Sequence, residues 1–355
     1  MTSDKKKKSV AKKYLGYIFP IILTVVFLYL TFMDVNLQEA LNIITDSSLM
    51  WLIVFTFSFY LSHIIRALRW KVMLSSTKQD TSFLYLLGAT MIGYGVNSFV
   101  PRLGEFYRGM FAGKWENISR SSVLGSIVVE RVIDILILGV SVLVSVIIYP
   151  GNLYSDVSWL KSALYFGFLG IFLIIAVLIL LVKLKHKFYD WIVRFVSRFS
   201  ESGASKLSYV FEMLVDGFST IKGTNNYFWV TILSALIMLS YGLTSYLGFY
   251  VLNFDSVYEV SFGMAWIVMT ISAFGVIIPT PGGTGSYHFI VKTVLVGIFA
   301  FSQEAGSAYA LLTHTASTII FILSMFFFIV YINNCRLKLG FPKEDFFSVI
   351  KGKSI

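Results

Sequence analysis

Charge is scarce in this chain. Asp, Glu, Lys and Arg make up 14% of its 355 residues, against about 25% in soluble globular domains. Cysteine is scarcer still: Cys335 stands alone, which excludes a disulfide within the chain, and no Cys/His pair has metal-ligand spacing. No Gly-rich stretch ends in Gly-Lys-Ser/Thr, so a nucleotide-phosphate loop is missing. No metal, no cofactor and no catalytic nucleophile motif is therefore expected.

Apolar sequence is what remains. Hydrophobic residues account for 57% of the chain, aromatics for 17%, and the mean hydropathy is +0.77. The charges are clumped, leaving apolar runs long enough to cross about 30 Å of hydrocarbon. A soluble protein of this composition would aggregate, so the chain reads as an all-α polytopic membrane protein, a single integral membrane domain over 1–355.

The net charge of +10 reports topology and not a nucleic-acid footprint. Segments 1–13, 66–82, 183–226 and 333–355 hold 22 of the 29 Lys and Arg residues. Segments 34–48, 150–160, 253–259 and 301–305 hold acids and no base. The alternation follows the positive-inside rule and puts the basic segments, with both termini, in the cytoplasm. Lys5–Lys8 precede an apolar run, Tyr14–Met33, without a small-residue cleavage site. It reads as an uncleaved first helix.

Further spans are expected at about Leu49–Trp70, Ser121–Tyr149, Ala163–Val182, Tyr227–Leu252 and Gly306–Ile332. His63, Arg66, Arg69 and Trp70 close the second span, where long side chains can snorkel to the interface. The charge-derived topology forces residues 83–120 and 260–301 to re-emerge on the side they entered. About six full spans and two opposed re-entrant helical hairpins result. One hairpin turns at Val100-Pro101-x-x-Gly104, the other at Ile278-Pro279-x-x-Gly282. The halves 49–149 and 227–332 then read as an inverted repeat, a recurrent transporter design. Residues 183–226 mix charges with aromatics and read as a cytoplasmic amphipathic segment.

Three groups of residues stand where chemistry is expected. Glu130 and Asp134 lie about 14 and 20 Å along a helix begun at Ser121, so Glu130-Arg131-x-x-Asp134 falls near mid-membrane. Ionisable groups there cost about 2.5–3.5 kcal/mol each and seek a polar cavity or a partner. Arg102, Glu105 and Arg108 follow the first break, and two arginines near a broken helix suit a phosphate. Pro101 and Gly104 shape that break. Pro279, Pro281, Gly282, Gly283 and Gly285 shape the second, which must be buried in protein or line a cavity. His288 and Lys292, four apart on the next helix, could bring positive charge to the same place, and His314 follows in the last span.

Taken together, Arg66-x-x-Arg69-Trp70, Asn97-x-x-x-Pro101-Arg102-x-Gly104-Glu105-x-x-Arg108, Glu130-Arg131-x-x-Asp134 and Pro279-Thr280-Pro281-Gly282-Gly283-x-Gly285 resemble a known family. It is the membrane part of bacterial lysylphosphatidylglycerol synthase and its stand-alone flippase-like relatives. The resemblance implies a bacterial cytoplasmic membrane protein that moves an aminoacylated or otherwise modified phospholipid, or a lipid-linked molecule, between leaflets. About 23 residues follow the last expected span, too few for an aminoacyl-transferase domain, so a non-enzymatic transporter is expected. Many relatives carry Glu after the Gly-rich loop and Arg in the last span, where this chain has His288 and His314. That difference implies a different substrate.

The resulting expectation is a flippase whose cavity between the half-repeats admits a polar head group. Arg102, Arg108 and Arg131 would neutralise phosphate, and Glu105, Glu130 and Asp134 would hold a cationic head group or tune the arginines. Membrane phospholipids are the expected partners, with a lipid-modifying enzyme or a second copy as protein partners and no nucleic acid. The alternatives are a membrane-embedded transferase acting on a lipid phosphate and an accessory subunit of a lipid-modifying complex.

Overall fold

The computed structural model describes residues 18–170 and 224–351, with 172, 173, 176, 194–198, 200, 201, 203, 205 and 208. Most of the expected amphipathic segment 183–226 and of the end of the span 163–182 lies outside the described residues, as do Lys5–Lys8. The regular structure that is described is helical, without a strand, and the chain is an all-α polytopic membrane protein.

Helix α1 (Ile18–Phe32) and α2 (Leu37–Thr45) meet at a bend of 89°. They are followed by α3 (Leu49–Leu74), α4 (Phe83–Asn97), α5 (Leu103–Glu116), α6 (Arg120–Ile148) and the short α7 (Leu153–Asp156). Beyond the undescribed stretch come α8 (Thr224–Val251), α9 (Phe262–Ile277), α10 (Ser286–Phe299), α11 (Gln303–Lys338) and a terminal turn, α12 (Ser348–Lys351). Four of these, α3, α6, α8 and α11, are each long and apolar enough to cross a membrane, and α1 with α2 qualifies only as a pair. Large apolar side chains such as Phe57, Ile147 and Leu323 point outward, as a lipid-facing surface requires.

Local chemistry explains the helix ends. Ser119 starts α6 by accepting the Ser122 N–H at 3.2 Å, and Ser261 starts α9 by accepting that of Met264 at 3.1 Å. Asn117 and Ala300 enter the left-handed region after α5 and α10 and stop them. Pro101 and Pro279 each lack an N–H and force the preceding residue out of helix, so α4 and α9 stop short of them.

By its internal contacts the chain divides into two compact units. The first takes the described residues up to Leu61, with Met91–Gly104 and Ser240–Phe327. Both helix breaks belong to it. Here the Gly104 N–H donates to Asn97 Oδ1 at 2.7 Å, tying the start of α5 to the end of α4. A side chain at Gly104 would overlap the Gly93 carbonyl oxygen. The α9–α10 pair brackets the second break, and Gly285, at φ 86°, lets the loop lie against α1. A Cβ there would stand 2.7 Å from the Thr24 carbonyl oxygen.

The second unit takes Ser62–Thr90, the described part of 105–239, and Phe328 onward. Its C-terminal segment is folded back on the helices. Asn333 clamps Glu344 by two bonds, Nδ2 to its carbonyl at 2.7 Å and Oδ1 from its N–H at 2.9 Å. Phe346 packs edge-on against Tyr107 and Phe111 of α5.

Candidate functional site

The second unit gathers six charged side chains from three helices. Arg66 and Arg69 share a face of α3, three residues apart, and Glu130 and Asp134 share a face of α6, four apart. Arg66 Nη1 reaches Glu130 Oε1 at 2.5 Å and Asp134 Oδ2 at 2.7 Å. Arg69 Nη2 reaches Asp134 Oδ1 at 2.6 Å and Glu130 Oε1 at 3.3 Å. Arg108 of α5 brings Nη2 to 2.8 Å from Glu130 Oε2. Arg131 closes the group at 3.4 Å from Glu130 and 3.5 Å from Asp134.

Burial divides this cluster. Arg66, Arg69, Arg108 and Glu130 are sealed in, whereas the Arg131 side chain is 38% exposed and stands at the rim. Glu130 and Asp134 lie about 15 and 21 Å along α6 from Arg120, in a helix about 44 Å long. The cluster is thus at mid-helix, where hydrocarbon makes an unpaired charge most costly. Four guanidiniums against two carboxylates leave these six side chains at a formal +2.

Neutral groups fix the arginines in place. Arg69 Nη1 donates to Ser234 Oγ of α8 at 2.8 Å, and that hydroxyl donates to the Val230 carbonyl. The Arg108 guanidinium lies 3.9 Å over the Trp70 ring, whose N–H donates to Ser126 Oγ at 2.9 Å. Among the described residues, Arg69 Nε and Arg108 Nε have no acceptor. Buried donors of this kind are costly to leave unmet.

The residues near the helix breaks are arranged differently. Arg102, expected beside Arg108, belongs to the first unit, with φ 63° and its Nη2 donating to the Ile277 carbonyl at 3.2 Å. That bond joins the first break to the second. Glu105 sits in the first turn of α5, a position that suits a negative charge. Pro279, Pro281, Gly282 and Gly283 form a loop held by Ser286, whose Oγ donates to the Gly275 carbonyl at 2.6 Å. Thr280 Oγ1 meets the same hydroxyl at 2.9 Å.

His288 and His314 stand with ring centres 4.5 Å apart. The Gly285 N–H donates to His288 Nδ1 at 3.2 Å, so that nitrogen carries no proton. His314 Nε2 donates to the Gly282 carbonyl at 3.0 Å, which fixes its proton on Nε2. Lys292 Nζ donates to the Thr31 carbonyl at 2.6 Å. His288 and Lys292, expected to lend charge to a cavity, are both bonded to backbone. His288 accepts a backbone N–H at the start of α10, and Lys292 keeps its positive charge with one of its three donors on the Thr31 carbonyl.

Arg66 and Arg69 call for a correction. Their sequence position suggests snorkelling to an interface, yet they are buried and hold both carboxylates. A signal for this did exist, because an i,i+3 pair of arginines on one span complements an i,i+4 pair of acids on another. Among the described residues, no three His, Cys, Asp or Glu side chains gather as a metal cluster.

These features define a class: a polytopic helical membrane protein with a buried arginine–carboxylate network at mid-helix. The family model described as "Lysylphosphatidylglycerol synthase TM region" matches residues 17–324. The chain belongs to that family. No curated protein and no solved structure matches it.

Proposed function

We propose that the chain is a lipid flippase that moves a phospholipid or lipid-linked polar head group, aminoacylated in one variant of this reading, between leaflets. Membership of the family supports a role in lipid modification or lipid handling. The observation that carries the finer reading is the formal +2 of the buried cluster, with Arg131 standing half-exposed at its rim. A phosphate entering beside Arg131 would supply the missing negative charge. Guanidinium forks match phosphate oxygens two at a time, and the low dielectric strengthens each pair.

In this reading Arg131 makes the first contact, and Arg108 and Arg69 offer their unmet Nε donors to the same anion. Glu130 and Asp134 keep the arginines apart and hold them ready. The acyl chains stay in lipid while the head group crosses. The basic segments would face the cytoplasm of a bacterium.

Reconstituted vesicles with a head-group-labelled phospholipid in one leaflet test this. Arg131→Ala should slow leaflet exchange about tenfold or more, the loss of the first charged contact at the rim of the cluster. Exchange at the wild-type rate across candidate lipids would sink the mechanism.

A further inference from the structure

Within the second unit, at the C-terminal end of α5 and the start of α6, lies a cleft of about 570 Å³. Lys78, Lys114, Arg120 and Arg336 place four cations on its walls, and Glu116 and Glu344 place two carboxylates, leaving a formal +2. The carboxylates are engaged. Glu116 takes Lys78 Nζ at 2.9 Å and the Ser82 N–H at 2.7 Å, and Glu344 accepts Ser348 Oγ at 2.6 Å. Lys114 Nζ lies 3.7 Å from Glu344, a loose pair.

Two buried donors on the walls lack an acceptor among the described residues. Arg336 is 5% exposed and gives Nη1 to the Trp115 carbonyl at 3.2 Å, with its guanidinium 4.8 Å from the Phe341 ring centre, but its Nε donates to nothing. The Trp115 indole N–H, in a side chain 4% exposed, likewise finds no acceptor. The N-terminus of the 29-residue α6, at Ser119 and Arg120, forms another wall, and its positive end favours an anion.

A compact anion with several acceptor oxygens would balance the excess charge of the cleft, and its oxygens are of the kind the two unmet donors lack. We propose that this cleft binds a phosphate group, carried either by a lipid head group or by a soluble phosphate. It is distinct from the arginine cluster, since Glu130 is ten residues further along α6, about 15 Å. The volume leaves room for whatever carries the phosphate, and the segment 341–344, pinned through Asn333, forms one side.

The test uses the purified full chain in two arms. In zwitterionic detergent, thermal unfolding is titrated with inorganic phosphate against chloride at matched ionic strength. In phosphatidylcholine nanodiscs with or without phosphatidylglycerol, native mass spectrometry reads the lipid retained. A saturable phosphate effect in the first arm alone points to a soluble ligand, selective retention in the second alone to a lipid head group, and both to the phosphate itself. Trp115→Phe should weaken the response about tenfold, and Lys114→Gln about threefold, while Lys338→Gln, exposed and outside the cleft, leaves it unchanged. Should Trp115→Phe fail to fold, Lys114→Gln, at a half-exposed position, decides. No preference in either arm, or a response indifferent to both cleft variants, overturns the proposal. A response lost in Arg108→Gln but kept in Trp115→Phe also overturns it, and assigns the phosphate to the arginine cluster instead.

Discussion

Around Glu130, six charged side chains from three helices carry the polar content. Around Gly282 the polar content is backbone, hydroxyl and imidazole, with Ser286, Thr280, His288 and His314 closing the gaps that prolines and glycines open. Each region keeps polar groups within an apolar membrane protein, where an unmet group is expensive. The first does so with long side chains that can change partners without moving the backbone. The second uses short neutral bonds to fixed carbonyls, so its shape is set by the backbone itself. A region of the first kind can accept a ligand's charge by redistribution, and one of the second kind is suited to hold a turn.

Four substitutions would break or sharpen that contrast. Glu130→Ala should have the largest effect, about 3–5 kcal/mol of stability, because it leaves several buried guanidiniums without their shared anion. Equilibrium unfolding in mild detergent measures it, and a loss below about 1 kcal/mol would show that the carboxylate does not hold the cluster together. Gly104→Ala should cost about 1–3 kcal/mol, since the new methyl group meets the Gly93 carbonyl. A thermal midpoint equal to wild type would mean that the first break yields easily. Ser286→Ala removes the 2.6 Å bond to Gly275 and should cost about 1 kcal/mol while leaving lipid translocation intact. If translocation fell instead, the loop would be more than a structural turn. Arg131→Gln should move stability by less than about 1 kcal/mol, because its pairs are long and partly screened. Its translocation rate should nevertheless drop, and a joint fall in both would merge the rim with the buried part of the cluster.

Much of this architecture could be read from residue order. Apolar runs and the two prolines locate α6, α9 and both breaks to within a few positions, because each signal acts locally. The pairing of Arg66 and Arg69 with residues 130 and 134 is a contact between distant parts of the chain, and hydropathy contains no term for it. Near the end of a span, the same arginines satisfy a snorkelling account equally well. Arg102 shows the converse. Six residues from Arg108, it looks like its partner, but the left-handed turn after Pro101 sends it to the Ile277 carbonyl. The acceptor role of His288 was also hidden, because it depends on a backbone N–H at Gly285 that only the loop's conformation exposes.

The sharing of Glu130 among four arginines has an evolutionary consequence. One anion serving several cations makes the tolerance of each substitution depend on the order in which changes arrive. A lineage that first loses an arginine lowers the cluster's excess charge and can then survive a change at the carboxylate. A lineage that loses the carboxylate first strands several cations at once. Descendants should therefore drift through arginine-poor intermediates, and Glu130 should be the last of the six to change.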